Sequence, residues 1–222
     1  MAKRAYSPRD IAAKTYVTIP WGEKWSKVFG YPSITETWFV SGSSASGKSS
    51  FVMQLAKELC SYGGVLYLSY EEGVSKSFQD RINRYKMNEV QGKFRVATDD
   101  TLDDLRIRLK KRKSAKFVII DSFQYSNWSY EQAKTLADDF PRKCFIFISQ
   151  EYKGQPLGKP AARLKYMAGM KVRVQGYKAY CQGRAIGEAG EAFTVWEDGV
   201  IQTSNETEGV WTNTRMVTPF SS

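Results

Sequence analysis

The sequence predicts an α/β domain built on a mainly parallel, twisted sheet flanked by helices, with antiparallel strands toward its C-terminal side. Three observations lead there. Continuous apolar runs of strand length alternate with segments of helical pattern, as in a parallel sheet covered on both faces. The runs end in chemically distinctive residues, Gly42, Glu71, Asp121 and Gln150. A glycine- and serine-rich turn joins the first run to the first long helix. At 222 residues the chain suits one such domain with a sizeable core.

The elements follow in order. Residues 1–36 carry Pro8, Pro20, Pro32, Trp21 and Trp25, and read as an N-terminal extension packing on the core. Residues 37–41 form a first strand. A helix follows the turn to about Ser61, and Tyr62-Gly63-Gly64 stops it. Val65–Ser69 is rich in β-formers and reads as a buried strand. Ser75–Lys86 reads as a helix, Phe94–Ala97 as a short strand, and Thr101–Lys113 as a charged helix. Phe117–Asp121 is a strand ending in an acid, Tyr130–Asp139 a helix, and Lys143–Gln150 the next strand. Glu151 to Gly169 is polar, basic and Gly/Pro-bearing, and suggests a mobile loop. Lys171–Tyr180 and Ala192–Trp196 read as two antiparallel strands joined through Gln182–Glu191. The expected organisation is an extension over 1–36, a main domain over 37–198 and a weakly patterned tail over 199–222.

The turn itself carries the chemistry. Gly42-Ser43-Ser44-Ala45-Ser46-Gly47-Lys48-Ser49 fits G-x-x-x-x-G-K-[ST] in full and runs on into Ser50. Glycines let the backbone turn tightly and point successive N–H groups at phosphate oxygens. The helix N-terminus adds partial positive charge. Lys48 can reach the outer phosphates of ATP, and the Ser49 hydroxyl can ligate Mg²⁺. A plain flexible connector has no need of Lys and Ser directly after its last Gly.

Ligands on parallel sheets bind at the carboxyl ends of the strands. The phosphate loop, Glu71, Glu72, Asp121 and Gln150 all fall there. Asp121, after four apolar residues, suits the acid on the Mg²⁺ side. ATP hydrolysis also needs a carboxylate that orients the attacking water. Glu71 and Glu72 are both open for that role, Glu71 ahead of Glu72. The Gln150 amide suits contact with the γ-phosphate, passed on to the segment that follows.

Bulk properties exclude several classes. There is no histidine, which removes His-based triads, His metal ligands and His proton shuttles. Cys60, Cys144 and Cys181 are dispersed and odd in number, which argues against a disulfide framework. No apolar stretch is long enough to span a membrane, and the opening residues lack a signal-peptide core, so a cytoplasmic protein without a membrane partner is expected. The net charge of +10 is compatible with nucleic acid. The run Arg106–Lys113 lies near a helix end, where cations complement the dipole, and reads as a solvated face.

Gly42–Ser49, Leu66–Glu72, Val118–Gln124 and Phe147–Gln150, in that order, resemble the RecA-like P-loop ATPases. The nearest look is to the RadA/Sms repair proteins and the DnaB-type replicative helicases, with KaiC a further cousin. The likeness spans about 37–198. It implies a RecA-like core and Mg²⁺-dependent ATP hydrolysis coupled to single- or double-stranded DNA in replication, recombination or repair. It also implies a homo-oligomer, ring or filament. Glu71 would be the activating carboxylate, Asp121 the metal-side acid and Gln150 the γ-phosphate sensor. Lys153, Lys159, Arg163 and Lys165 would lie in a DNA-contacting loop. Arg184 would complete a neighbouring subunit's ATP site, although Gln182 stands where the accompanying Lys would be. The RadA zinc module and the DnaB collar have no counterpart, so the chain resembles a stand-alone core of the kind phages and mobile elements carry. An alternative within this resemblance is a nucleotide-dependent assembly switch acting on a protein partner.

Overall fold

The structure is a computed structural model that describes residues 5–184, 187–188, 190–201 and 203. Residue 202 and 204–222, most of the expected tail, lie outside the described residues. After a short helix α1 (Pro8–Ala12) come α2 (Glu23–Phe29), β1 (Trp38–Gly42), α3 (Lys48–Leu59), β2 (Val65–Ser69), α4 (Lys76–Arg84) and β3 (Phe94–Ala97). The chain continues with α5 (Leu102–Lys110), β4 (Phe117–Asp121), α6 (Tyr130–Asp139), β5 (Cys144–Tyr152) and β6 (Gln155–Pro156). It ends with α7 (Lys159–Met167), β7 (Met170–Gln175), β8 (Lys178–Cys181) and β9 (Ala192–Thr194).

Among the described residues the strands form one nine-stranded sheet, ordered β3-β2-β4-β5-β1-β7-β8-β9, with β6 pairing β5. β3, β2, β4, β5, β1 and β7 run parallel. β8 and β9 continue antiparallel at one edge.

Alternation along each strand splits the core in two. Trp38, Val65, Tyr67, Phe117, Ile119, Ile146 and Ile148 face one side. Phe39, Leu66, Leu68, Val118, Ile120, Phe145 and Phe147 face the other. On the first side Trp21, Trp25 and Phe29 from the N-terminal region pack with Phe51 of α3 and Phe193 of β9. Trp25 stacks on Phe193 with ring centroids 4.4 Å apart. On the second side Leu105 and Leu109 of α5, Leu136 of α6 and Leu164 of α7 cover the sheet.

Two expectations are corrected. The segment 151–169 is ordered rather than a mobile loop. It finishes β5, turns at Lys153-Gly154 into β6, and forms α7, which buries Ala161 and Leu164 against the sheet. Apolar residues at Ala161, Leu164 and Ala168 make one helical face, and Pro160 suits the first turn. Lys171–Tyr180 is likewise a hairpin, β7 and β8, and not one strand. Gly176 and Tyr177, at φ 54° and 56°, both take the left-handed conformation of a two-residue type I′ turn.

Candidate nucleotide site

β1 ends at Gly42 and α3 begins at Lys48, so residues 43–47 are the loop between a central strand and a helix N-terminus. A Cβ on Gly42 would lie 2.2 Å from Val174 O, so no larger residue fits there. Gly47, at φ 96°, adopts a left-handed conformation, as does Ala45 at φ 58°. A Cβ on Gly47 would meet the Tyr177 ring at 2.9 Å. The loop is pinned from the β7–β8 turn, where the Tyr177 N–H donates to Ser46 O at 3.1 Å. Ser46 Oγ is buried and, among the described residues, without a partner. Lys48 Nζ folds back and donates to Ser43 O at 2.6 Å. Burial lowers the Lys48 pKa, while Glu71, Asp121 and Glu151 pull it up.

Asp121 ends β4 in register with Ser69 of β2. Its carboxylate is buried and accepts a hydrogen bond from the Tyr67 hydroxyl. Burial pushes its pKa up to about 6, against the Tyr67 bond; Glu71 and Glu72 add to the rise. The peptide bond to Ser122 is cis.

The structure separates the two glutamates. Glu72 is engaged by Arg81 of α4 and by Ser77 Oγ at 2.8 Å. Burial opposes its charge, but the bonds from Arg81 and Ser77 hold its pKa below the ordinary glutamate value. Glu71 is exposed, and Gln150 Nε2 donates to its Oε1 at 2.9 Å. Its backbone N–H donates to Asp121 O at 3.2 Å, which fixes it to the end of β4. Gln150 in turn lies in register with Gly42, beside the phosphate loop. The structure therefore brings Glu71 and Gln150 together beside the phosphate loop, with Gln150 inside β5, which runs two residues further, to Tyr152, than the sequence suggested.

Several contributors were not legible in the sequence. Glu151, with its side chain 3% exposed, accepts from Ser41 Oγ at 2.7 Å and Arg173 Nε at 3.2 Å, tying together β1, β5 and β7 under the loop. Gln124 donates to Ser149 Oγ at 2.8 Å and to Leu157 O at 2.9 Å, and its Oε1 accepts from the Gln150 N–H. A cleft of about 690 Å³ beside the loop is lined by Ser46–Ser50, Arg81, Arg84, Tyr177 and Trp196. Tyr177 and Trp196 meet edge to face, with centroids 5.2 Å apart.

Mg²⁺ commonly takes one or two protein oxygens, with substrate phosphates and waters completing its shell. Among the described residues no group of three or more Cys, Asp or Glu forms a protein-only metal cage. The residues present fit nucleotide and Mg²⁺: an orphaned Ser46 hydroxyl, a cradle that a Cβ would fill, a helix N-terminus at Lys48-Ser49, and a strand-end Asp121.

The remaining expected residues are dispersed. Lys153, at φ 49°, sits in the β5–β6 turn with its Nζ 5.4 Å from the Tyr152 ring centroid. Lys159 and Arg163 are four apart on α7, and Lys165 is roughly 200° around the helix from Arg163. Arg163 pairs with Glu131 and lies 3.9 Å over the Tyr130 ring. Arg184 is exposed at the amino end of the sheet, its N–H bonded to Gly169 O at 2.8 Å. That is the end opposite the phosphate loop, so Arg184 does not reach this chain's own phosphate loop.

No family model matches the chain, and no curated protein matches its sequence. Solved structures share its fold. The flagellar accessory protein FlaH from Methanocaldococcus jannaschii superposes with a TM-score of 0.58 at 16% identity, covering 80% of this chain and 93% of that one. A KaiC-like protein from Pyrococcus horikoshii gives 0.55 at 15% identity, with the same coverages of 80% and 93%. At such identities the likeness is one of architecture: the chain has the RecA-like α/β fold, with its phosphate loop after the central strand β1.

Proposed function

We propose that the chain is a Mg²⁺-dependent ATP hydrolase coupled to DNA and working as a homo-oligomer. The observation that carries the hydrolytic part is Glu71, a carboxylate free of any ion pair among the described residues and held by Gln150 beside the phosphate loop. In this reading the N–H groups of residues 43–49 and the Lys48 ammonium bind the phosphates. Lys48 then exchanges its bond to Ser43 O for phosphate oxygens. Ser49 and Asp121 hold Mg²⁺, which when bound neutralises phosphate charge. Glu71 orients the attacking water and accepts its proton, and Gln150 reports the γ-phosphate. Tyr177 and Trp196 offer the flat apolar faces that suit a nucleobase. Glu72 serves the site through Arg81 instead.

Gln150 has a route outward. Its carbonyl accepts from the Leu157 N–H at 2.9 Å, and Gln124 bridges the same strand to Leu157. Loss of the γ-phosphate would thus be felt in the β5–α7 segment, where Lys153, Lys159, Arg163 and Lys165 are proposed to meet DNA. Arg184 would act on a neighbour's ATP. A RecA-like core of the phage or mobile-element type, active in replication, recombination or repair, is the setting this reading favours.

A second reading is a nucleotide-dependent assembly switch for a protein partner. It is favoured by Arg163 being engaged by Glu131 and Tyr130, and by a flagellar accessory protein among the structural neighbours. ATP turnover measured with and without single-stranded DNA separates the two. The first reading expects turnover that rises with DNA and vanishes in Lys48→Ala. Nucleotide-driven assembly with no response to DNA would favour the second.

A further inference from the structure

Among the described residues, eight basic side chains gather at the end of the sheet opposite the phosphate loop. Lys93, Lys116 and Lys143 each immediately precede a parallel strand, at Phe94, Phe117 and Cys144. Those three strand starts are in register across the order β3-β2-β4-β5, through Val65↔Phe94, Val65↔Phe117 and Phe117↔Cys144. With strands about 4.8 Å apart, the Lys116 backbone lies about 5 Å from Lys143 and about 10 Å from Lys93. The lysines, 23 and 27 residues apart in sequence, therefore form one row.

The α5–β4 connection adds to that row. Lys110, Lys111, Arg112 and Lys113 are all exposed, as is Arg142 from the α6–β5 connection. The Lys116 stem crosses Gly63, where a Cβ would sit 2.9 Å from it. Lys143 Nζ donates to Ala115 O at 2.7 Å and Ser114 Oγ at 2.8 Å, which joins the two connections. None of these cations has an ion-pair partner among the described residues. The one carboxylate in the lining, Asp139, is engaged by Arg106. Two clefts, of about 740 Å³ and 530 Å³, flank the connection and share Lys111 and Ser114.

We propose that this amino-terminal end of the sheet is a binding surface for a nucleic-acid phosphate backbone. Unpaired cations on ordered loops, set along two concave clefts, neutralise phosphates without reading bases. An anionic bilayer fits less well, because membrane-surface sites add apolar or aromatic side chains to their cations. The exposed large apolar side chains lie elsewhere among the described residues, with Ile107 of α5 the nearest in sequence. The inference rests on the reading that the chain works on DNA, and it adds a contact surface distinct from the β5–α7 segment.

The test is fluorescence anisotropy of a labelled single-stranded oligonucleotide with the full chain, without nucleotide, over a salt series. The triple variant Lys111→Glu/Arg112→Glu/Lys113→Glu is compared with the double variant Lys159→Glu/Lys165→Glu. The triple variant is expected to weaken binding about 100-fold and to lower the slope of log K against log salt by about 2. Its basal ATP turnover should match the wild type, which confirms that it folds. Binding by the triple variant within about twofold of the wild type overturns the inference and leaves DNA coupling standing. A wild type that fails to bind DNA at low salt overturns both. Loss of binding to phosphatidylserine vesicles, with DNA affinity unchanged, also overturns the inference, in favour of a membrane.

Discussion

At the residue scale, adjacent glutamates have been given different work by their neighbours. Glu72 is spent on Arg81, Ser77 and Ser75, and Glu71 faces Gln150. Replacing Glu72 by Gln should cost about 1–2 kcal/mol in urea unfolding, by weakening a charge-assisted pair. The sign with pH follows from its depressed pKa. The contribution is present above the ordinary glutamate range and lost as pH falls through the folded value. Glu72→Gln should therefore show a shallower acid-side loss of stability than the wild type; parallel curves would remove the pair from the account. Gly47 offers a second residue-scale test. Its φ of 96° and the Tyr177 ring 2.9 Å from a would-be Cβ make Gly47→Ala strained on two counts. Nucleotide affinity, read by fluorescent-analogue titration, should fall at least about tenfold while the chain stays folded.

At the scale of elements, much of the site was legible because its signals are local. The phosphate loop is a contiguous motif, and Asp121 and Gln150 end apolar runs that could only be buried strands. The segment 151–169 misled because Lys, Gly and Pro dominate its composition. The pattern that folds it is the sparse face of Ala161, Leu164 and Ala168. Leu164→Ala should destabilise the protein by about 2–5 kcal/mol and hasten proteolysis within 151–169; no change in either would restore the mobile loop. The β7–β8 turn had a weak signal in Gly176, between two alternating runs. Its consequence, Tyr177 set against Gly47, is a contact across more than a hundred residues that no local pattern carries. Glu151 was invisible for the same reason, since its partners Ser41 and Arg173 come from other strands.

At the scale of the whole molecule, one sheet separates two chemistries. Its carboxyl end gathers the phosphate loop, Glu71, Asp121 and Gln150, and its amino end gathers unpaired lysines and arginines. The two ends are only about 17 Å apart, the length of a five-residue strand. The N-terminal region helps hold that sheet rigid, since Trp21, Trp25 and Phe29 fill the space between α3 and β9. Trp25→Ala should cost about 3–5 kcal/mol by denaturant unfolding, because it removes a ring stacked on Phe193 from a dense aromatic cluster. Among the described residues no helix is long and apolar enough to cross a membrane. The proposed role of Glu71 in activating water is tested most directly by single-turnover hydrolysis in Glu71→Gln beside the wild type. The variant is expected to bind ATP with near wild-type affinity and to hydrolyse it at least about 100-fold more slowly. Hydrolysis at the wild-type rate by Glu71→Gln would contradict that role.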